Sequence, residues 1–420
     1  MPHVVILGGG FGGLAAARAL AGGRVRVTLV DRRNHHVFQP LLYQVATAAL
    51  SPGDVAAPIR WILRRARNVR VLLGEARCID ADAREVELAD GERLAYDALV
   101  VATGASHAYF GHPEWEAHAP GLKTLEDAIA IRRRVLLAFE RAERESDPAR
   151  QEVLLTFAIV GGGPTGVELA GTLAEIARQT LRDEYRTIDT ARARVVLVEA
   201  GPTILATFPP RLREAGRAAL VRAGVEVRES APATDIDAGG ITAGGDRIRA
   251  GTVIWAAGVV ASPLLETLDV PRDGAGRVEV RPDLSVPGHP EVFVVGDAAV
   301  FRPEGAEVPL PGVAQVAMQQ ARHAARNAVR WLDGAATTTF TYRNYGNMAI
   351  VGRGAALADL GWAQLSGGVA WLAWLFLHIY QLIGFRNRVA VMLNWAVAYL
   401  TFQRSVRLIT GEGRDRDHAP

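Results

Sequence analysis

One glycine-rich phrase occurs twice in this chain, as VVILGGGFGG at residues 4–13 and as FAIVGGGPTG at residues 157–166. Each copy is a short apolar run followed by G-x-G-x-x-G, formed by Gly8, Gly10 and Gly13 in the first copy and by Gly161, Gly163 and Gly166 in the second. The motif is informative only when a strand precedes it, a helix follows it and an acidic residue ends the next strand. Both copies meet these conditions, because Asp31 ends VRVTLVD and Glu199 ends ARVVLVE. The repeat predicts two dinucleotide-binding units; two ordinary glycine-rich turns are the alternative.

The two acidic residues predict what each unit binds. Glycines allow the backbone to turn tightly and to approach a pyrophosphate, which then lies at the positive end of the following helix. The carboxylate at the end of the next strand accepts hydrogen bonds from an adenosine ribose. A carboxylate would also repel a 2′-phosphate, so Glu199 favours NADH over NADPH.

Composition and cysteine content exclude several classes of protein. The length of 420 residues suggests about two to four domains, and a net charge of +2 gives no reason to expect a nucleic-acid partner. Flavoenzymes that relay electrons through a redox disulfide need two cysteines, whereas this chain has one, Cys78. We expect Cys78 to be a small core residue of a strand, with a redox thiol as the alternative. If the chain is a flavoenzyme, electrons must therefore leave its flavin by a route other than a redox disulfide within the chain.

The order of motifs predicts one domain inserted into another. We predict the first part of a nucleotide-binding domain at residues 1–120, the inserted domain at 121–280, the second part of the first domain at 281–335 and a C-terminal domain at 336–420. The run VVATGAS contains Thr103 and Gly104 and is typical of a strand whose end passes close to a ligand. A C-terminal run at residues 339–360 alternates as strands do.

A second candidate contact lies at Gly296-Asp297, where the apolar run PEVFVV ends. Asp297 suits a hydrogen bond to the ribityl chain of a flavin, although it could also be an ordinary turn residue. The helix predicted next would begin near Val313, Ala314 and Gln315, with its positive end directed at the electron-rich edge of the flavin ring.

Three further stretches narrow the family. The chain resembles the flavoproteins with two dinucleotide-binding domains, and NHHVFQPLLYQVAT (34–47), AQVAMQQ (314–320) and an apolar C-terminus with GFRNR resemble type II NADH:quinone oxidoreductases. These are single-chain respiratory dehydrogenases that do not pump protons. The resemblance implies an α/β fold with two Rossmann-like domains, the NADH domain inserted into the FAD domain, and a C-terminal helical segment that associates with the membrane.

The resemblance also assigns roles to particular residues. The motif and the family together predict FAD at Gly8, Gly9, Gly10, Phe11, Gly12, Gly13, Asp31, Arg32, His36, Ala76, Thr103, Gly104, Asp297 and Ala314, and NADH at Gly161, Gly163, Gly166 and Glu199. His36 would close over the flavin nucleotide, with an exposed loop histidine as the alternative. His35 and His36 have no partner at metal-ligand spacing, so we expect no metal.

Two residue types, glutamate and glutamine, would carry the chemistry. Glu168 resembles the acidic residue beside the contact between nicotinamide and flavin, and Gln315 and Gln319 resemble the glutamines of the quinone site, to which we add Gln44. Glu168 could instead be a first-turn helix acid favoured by the helix dipole. The two helix glutamines are four residues apart and share a helix face, but both could simply be solvated.

Two apolar runs near the C-terminus predict attachment to a membrane. GGVAWLAWLFLHIYQLIGF and VAVMLNWAVAYLTF are interrupted by His378, Gln381 and Asn394, and the apolar part of each is about 14–16 residues, short of the roughly 20 that span a bilayer. Flanking aromatic residues and Arg386, Arg388, Arg404 and Arg407 suit helices that lie in the interface. A hairpin packed on the chain's own core or on a second subunit of a homodimer, and a true span, are the alternatives.

These features predict FAD-dependent oxidation of NADH with two-electron reduction of a membrane quinone, without proton pumping, in a respiratory chain. No leader segment is evident at the N-terminus, so we expect a peripheral protein on the cytoplasmic side of a bacterial inner membrane. Three rivals are a sulfide:quinone oxidoreductase, which needs reactive cysteines, a soluble ferredoxin or rubredoxin reductase, and a redox-sensing scaffold that turns over slowly with every quinone.

Overall fold

The chain forms two compact units, each assembled from separate stretches of sequence. The computed structural model describes residues 1–401 and 406–410. The first unit contains Met1–Val37, Ala56–Ser106 and Val259–Tyr345, and the second contains Phe38–Val55, His107–Gly258 and the chain from Gly346 onward. Arg404 lies outside the described residues.

The large sheet of the first unit is built on buried apolar strands. Its six strands lie in the order Ser285–Val286, His289–Val294, Ala98–Val101, His3–Leu7, Arg26–Asp31 and Val69–Leu73. All but the first run parallel. The inner strands His3–Leu7 and Ala98–Val101 are buried at every residue, which explains why they are continuous apolar runs rather than alternating ones.

Two helices cover the glycine-loop side of that sheet, Phe11–Leu20 and Ala314–Leu332, and they pack against each other. The smaller elements of the first unit are an antiparallel sheet of Ala76–Asp80, Glu85–Leu88 and Arg93–Ala95, the pairs His35–Val37 with Ala56–Pro58 and Val278–Glu279 with Ala299–Val300, the helix Ile59–Leu63, and the 3-10 turns Pro263–Thr267 and Gly296–Ala298. Cys78 is half-buried on the first strand of the antiparallel sheet.

The second unit repeats the parallel arrangement on a smaller scale. Its sheet has the order Val225–Arg228, Arg194–Val198, Thr156–Val160 and Thr252–Trp255, all parallel, and a separate antiparallel sheet contains Ala233–Asp237, Gly240–Ala243 and Asp246–Arg249. The helices of this unit are Leu42–Ala46, Pro52–Val55, Trp115–His118, Leu125–Arg144, Pro148–Leu154, Pro164–Glu175 with the π-helical turn Ile176–Thr180, and Pro210–Ala223. Thr124 and Asp127 form a capping box that fixes the start of the long helix.

The borders between the units lie at 107 and 258, where the sequence predicted 121 and 280. Tyr109 and Trp115 pack with Trp255 in the core of the second unit, which extends that unit toward the N-terminus. Leu265 and Val278 belong to the core of the first unit, which therefore begins again earlier than predicted. Residues 38–55, which carry the run FQPLLYQVAT, also belong to the second unit.

The C-terminal part of the second unit begins with an antiparallel sheet and continues as two helices. The strands are Asn347–Gly352, Ala355–Asp359 and Gln364–Gly367, and the helices are Gly368–Gln381 and Phe385–Thr401, called here the C-terminal helices. The prediction of strand structure from residue 339 is wrong for residues 339–346, which form no regular element. Within the described ranges, no helix is both long enough and apolar enough to cross a membrane.

Candidate active site

The first glycine loop, residues 8–13, joins the strand His3–Leu7 to the helix Phe11–Leu20. Gly8 has a φ of +98°, and a Cβ there would lie 2.4 Å from the carbonyl oxygen of Ala102. A Cβ on Gly13 would lie 1.7 Å from the carbonyl oxygen of Gly8, whereas one on Gly10 would meet no atom within 4 Å. Two glycines are thus required by the protein itself, and the third leaves open space for a pyrophosphate.

Asp31 is held at the end of its strand by the backbone. Its carboxylate accepts hydrogen bonds from the amide of Gly9, at 2.5 Å, and from the amide of Arg33, at 2.6 Å. This fixes the carboxylate beside the loop, where an adenosine ribose would be recognised. Arg32 is exposed, and its guanidinium lies 3.9 Å from the carboxylate of Glu75.

His36 is buried, which excludes the alternative of an exposed loop histidine. Only 2% of its surface is accessible, its ring lies edge-on to Phe11 with centroids 5.0 Å apart, and its Nδ1 is 3.1 Å from the carbonyl oxygen of Gly9. Burial lowers the pKa of His36 to about 4, so the ring is neutral and Nδ1–H donates to Gly9. Its Nε2 is buried and has no hydrogen-bond partner among the described residues.

Three further predicted residues of the same unit, Thr103, Gly104 and Ala76, lie close to strand ends. Thr103 follows the strand Ala98–Val101, and its Oγ1 is likewise buried without a partner in the described part of the chain. Gly104 has a φ of +67° with open space beyond it. Ala76 is partly buried at the start of the strand Ala76–Asp80. Two orphaned buried polar atoms and an open loop fit a large polar cofactor, as FAD is.

Asp297 lies half-buried in the 3-10 turn Gly296–Ala298, which follows the strand His289–Val294. A Cβ on Gly312 would lie 2.9 Å from Asp297 Oδ1, so a larger residue there would make this carboxylate shift; the helix begins two residues later, at Ala314. Gly296, with a φ of +69°, donates its amide to Gln320 Oε1 at 2.8 Å. Gln320 is 1% exposed and was not among the predicted residues. Its signal was a polar residue at a position of the apolar helix face.

Gln315 and Gln319 contact the backbone of the segment that follows their helix. Gln319 donates Nε2–H to the carbonyl of Arg343 at 2.9 Å and accepts the amide of Arg343 at 3.0 Å. Gln315 Oε1 accepts the amide of Tyr345 at 3.3 Å. The two glutamines are therefore engaged rather than freely solvated, and their bonds hold the backbone at residues 343 and 345 within the irregular stretch 339–346.

The second glycine loop, residues 161–166, has the same backbone design. Gly161 has a φ of +108° with Ala256 only 2.7 Å from a Cβ, a Cβ on Gly166 would lie 1.8 Å from the oxygen of Gly161, and Gly163 is open. Glu199 Oε2 and Oε1 accept the amides of Gly162 and Gly201, each at 2.6 Å. Two backbone amides thus fix the Glu199 carboxylate, and discrimination against a 2′-phosphate at this position stays a prediction.

Glu168 lies on the helix Pro164–Glu175, in its second turn rather than its first. The alternative of a first-turn acid stabilised by the helix dipole therefore loses its support. Burial raises the pKa of Glu168 to about 8, against the opposing effect of the Ile350 amide, which donates to Oε1 at 3.4 Å. The carboxyl group is therefore mostly protonated at neutral pH and can donate a hydrogen bond as well as accept one.

Gln44 joins the short helix Leu42–Ala46 to the C-terminal helices. It is buried, its Oε1 accepts the indole Nε1–H of Trp395 at 2.7 Å, and its Nε2 donates to the hydroxyl of Tyr43 at 2.9 Å. On the first C-terminal helix, His378 stacks on Trp374 with ring centroids 4.1 Å apart. The side-chain amide of Gln44 is therefore engaged with tryptophan and tyrosine, and its role at a quinone site stays a prediction.

Comparison with known proteins shows the family. The family model described as pyridine nucleotide-disulphide oxidoreductase matches residues 2–326, and the NDH2 C-terminal domain matches residues 345–404. Two type II NADH:quinone oxidoreductases of Mycobacterium tuberculosis, Ndh and NdhA, are 45% and 46% identical to this chain, with 98% of this chain and 90% of each relative covered.

The solved structures show the same fold. The structure of NDH2 from Plasmodium falciparum in complex with NADH superposes with a TM-score of 0.87 at 19% identity, covering 98% of this chain and 100% of that one. The sulfide:quinone oxidoreductase from Aquifex aeolicus shares the fold at a TM-score of 0.74. The predicted family and fold are thereby confirmed: the chain belongs to the type II NADH:quinone oxidoreductases.

Proposed function

We propose that this chain uses FAD to oxidise NADH and reduces a membrane quinone to quinol by two electrons, at a membrane surface and without pumping protons. The observation that carries the proposal is the duplicated glycine loop, which occurs once in each compact unit. In each unit an acidic side chain accepts a hydrogen bond from a backbone amide of the loop. One loop suits a flavin nucleotide and the other a nicotinamide nucleotide. Family membership supports quinone as the acceptor.

In the first unit, the open loop at Gly10, the Asp31 carboxylate and the buried atoms His36 Nε2 and Thr103 Oγ1 would hold FAD. Asp297 and the helix beginning at Ala314 would face its ribityl chain and ring. FAD held by these residues would supply the hydride-accepting and two-electron-donating chemistry that the protein side chains lack. The neutral ring of His36 would cover the nucleotide without adding a charge beside its phosphates.

In the second unit, Gly161, Gly163, Gly166 and Glu199 would hold NADH. Glu168 belongs to the helix that starts at this loop, and its protonated carboxyl group can hold a proton at neutral pH. We infer that the neutral form of Glu168 is the active one, because burial makes the charged form of its carboxyl group costly. Glu168 is the catalytic residue we assign to the NADH half-reaction.

The quinone half-reaction is assigned to Gln315, Gln319 and Gln44. Gln315 and Gln319 fix the backbone of Arg343 and Tyr345, so the wall of a quinone site would include that segment as well as the amides themselves. Gln44 would act by holding Trp395. Each of these three amides is polar but already paired, so each can orient a quinone without adding an unpaired buried charge.

Attachment to the membrane is assigned to the outer faces of the C-terminal helices. Exposed apolar side chains there include Phe376 at 70% and Leu400 at 79% accessible surface, with Leu372, Tyr380, Leu393 and Val397 also exposed. Residues 360–411 contain arginines but no aspartate or glutamate, so anionic lipid would not be repelled. We propose a peripheral protein on the cytoplasmic face of a bacterial inner membrane.

The first experiment is anaerobic and tests both half-reactions. NADH should bleach the flavin absorbance of the purified holoprotein, NADPH should bleach it much more slowly, and a soluble quinone should restore it within the dead time of manual mixing. Bleaching without recovery by any quinone would favour a ferredoxin or rubredoxin reductase or a redox-sensing scaffold. Bleaching by sulfide instead of NADH would favour the sulfide:quinone oxidoreductase. Reconstitution in vesicles with an internal pH dye tests the absence of proton pumping.

Membrane attachment is tested by flotation with vesicles that contain anionic lipid. The double variant Phe376→Asp, Leu400→Asp should stay at the bottom of the gradient, whereas Val308→Asp, which changes an equally exposed apolar residue of the first unit, should float with the wild type. If the double variant floats as well but changes from dimer to monomer in light scattering, the exposed faces bind a second copy of this chain instead.

A further inference from the structure

A charged side chain lies in the apolar face of the long helix Leu125–Arg144. The buried face of this helix includes Leu125, Ala128, Ile131, Val135, Leu136 and Phe139. Arg132 falls in the same stripe, four residues after Ala128 and three before Val135, and only 4% of its surface is accessible. Neither the oxidoreductase chemistry nor the glycine loops use this arginine.

The guanidinium of Arg132 is orphaned. Its Nε and Nη1 are buried and have no hydrogen-bond partner in the part of the chain that the structure describes. Burial lowers the pKa of Arg132, but a guanidinium remains charged throughout the physiological range. Proteins pair nearly every buried charge, because an uncompensated one strongly destabilises the fold. The position therefore calls for a negative partner.

A small cavity adjoins the orphaned group. It has a volume of about 10 Å³, which is room for a single water-sized ligand. Its walls are largely apolar and come from the end of the helix Leu42–Ala46 with the two residues after it, from Val135 and Leu136 beside the arginine, and from Ile176 in the π-helical turn. A polyatomic anion such as phosphate would not fit this volume and would find too few donors.

The charge balance of the walls selects the valence. Arg407 also lines the cavity, but its Nη1 donates to the carboxylate of Glu184 and approaches the carbonyl of Thr180 at 3.5 Å. Glu184 thus compensates the charge of Arg407. The positive charge of Arg132 is the charge among the cavity-lining residues that is left to balance. One negative charge balances it.

We propose that the Arg132 cavity is a binding site for a single monovalent inorganic anion of halide size. The anion neutralises the guanidinium and fastens the long helix to residues 46–48. A ligand that binds only the folded chain stabilises it in proportion to its concentration. The site is independent of the proposed redox function, so either can fail without the other.

Crystals of the full-length holoprotein soaked in sodium bromide give the direct test. An anomalous difference peak for bromine within hydrogen-bond distance of Arg132 Nε or Nη1 is the expected result. A cavity that holds water or no density at saturating bromide would overturn the proposal. This measurement needs no variant and so does not depend on any substitution folding.

Thermal unfolding gives the second test. At constant ionic strength, replacing gluconate by chloride should raise the melting temperature of wild-type holoprotein by roughly 2 °C. Arg141→Met, an exposed arginine on the same helix, should keep that shift, and Arg132→Met should lose it. A chloride shift that persists in Arg132→Met, or none in the wild type, counts against the site.

Discussion

The two glycine loops share one backbone design but differ in what covers them. In both, the first glycine has a positive φ against a neighbouring strand end, the last packs on the oxygen of the first, and the middle one is open. The first loop is covered by the buried ring of His36, with Phe11 half-buried against it. In the second loop the corresponding residues after the middle glycine, Pro164 and Thr165, are exposed. A covered loop suits a retained cofactor, and an open one suits a substrate that exchanges.

The largest expected effect separates the two loops directly. Gly13→Ala and Gly166→Ala place a methyl group 1.7 and 1.8 Å from a backbone oxygen, so in each case the loop must move. We expect Gly13→Ala to purify with more than tenfold less flavin, and Gly166→Ala to keep its flavin but lose bleaching by NADH by at least about 100-fold. Flavin absorbance per protein and anaerobic stopped flow measure the two effects.

Gly274→Ala is the matched control, because a Cβ there meets no atom within 4 Å. It should resemble the wild type in both measurements. Equal loss of flavin in Gly13→Ala and Gly166→Ala would break the comparison, since it would mean that the second loop also retains the cofactor.

The acids that close the loops should differ in the specificity they confer. Glu199→Gln keeps the shape of the side chain but removes the charge that opposes a 2′-phosphate. The preference for NADH over NADPH, as a ratio of kcat/KM values, should fall by roughly 10- to 100-fold. Asp31→Asn should lower flavin content and leave that ratio unchanged in the flavin-loaded fraction. A changed ratio in Asp31→Asn would show that the nicotinamide nucleotide has been assigned to the wrong unit.

In the first unit, Gln320 also holds the turn that carries Asp297, because it accepts the amide of Gly296. Gln320→Leu leaves the amide of Gly296 without its acceptor in a buried position, which costs about 1–3 kcal/mol in the free energy of unfolding. Flavin affinity should weaken by about tenfold, measured by release of FAD on dilution. Gln319→Leu, its half-buried neighbour, should keep its flavin and raise the KM for quinone. If both variants lose flavin equally, the special role of Gln320 is wrong.

How far the sequence predicted these features depends on their range along the chain. The glycine turns, Asp31 and Glu199 were predictable because each strand, loop and helix is encoded within about 40 residues by local rules. The bond between Glu168 and Ile350, which are 182 positions apart, was not, and neither was the pairing of Gln44 with Trp395. Burial of His36 and Arg132 also depends on distant packing, which a pattern of polar and apolar letters does not contain.

The smallest effect at neutral pH is expected at Glu168, and its signature is in the pH profile. Gln mimics the protonated acid, so Glu168→Gln should change kcat/KM for NADH by less than about threefold at pH 7. Wild-type activity should fall as pH rises through about 8, while the variant stays level and Glu175→Gln, on the same helix, follows the wild type. Burial holds the pKa of Glu168 in the folded protein above its ordinary value of 4.5. The free energy of unfolding of the wild type therefore declines as the pH rises from 4.5 to about 8, and the substitution removes that decline. An unchanged fall in activity in Glu168→Gln would assign the titration to another group, and the second loop would then differ from the first in its cover alone.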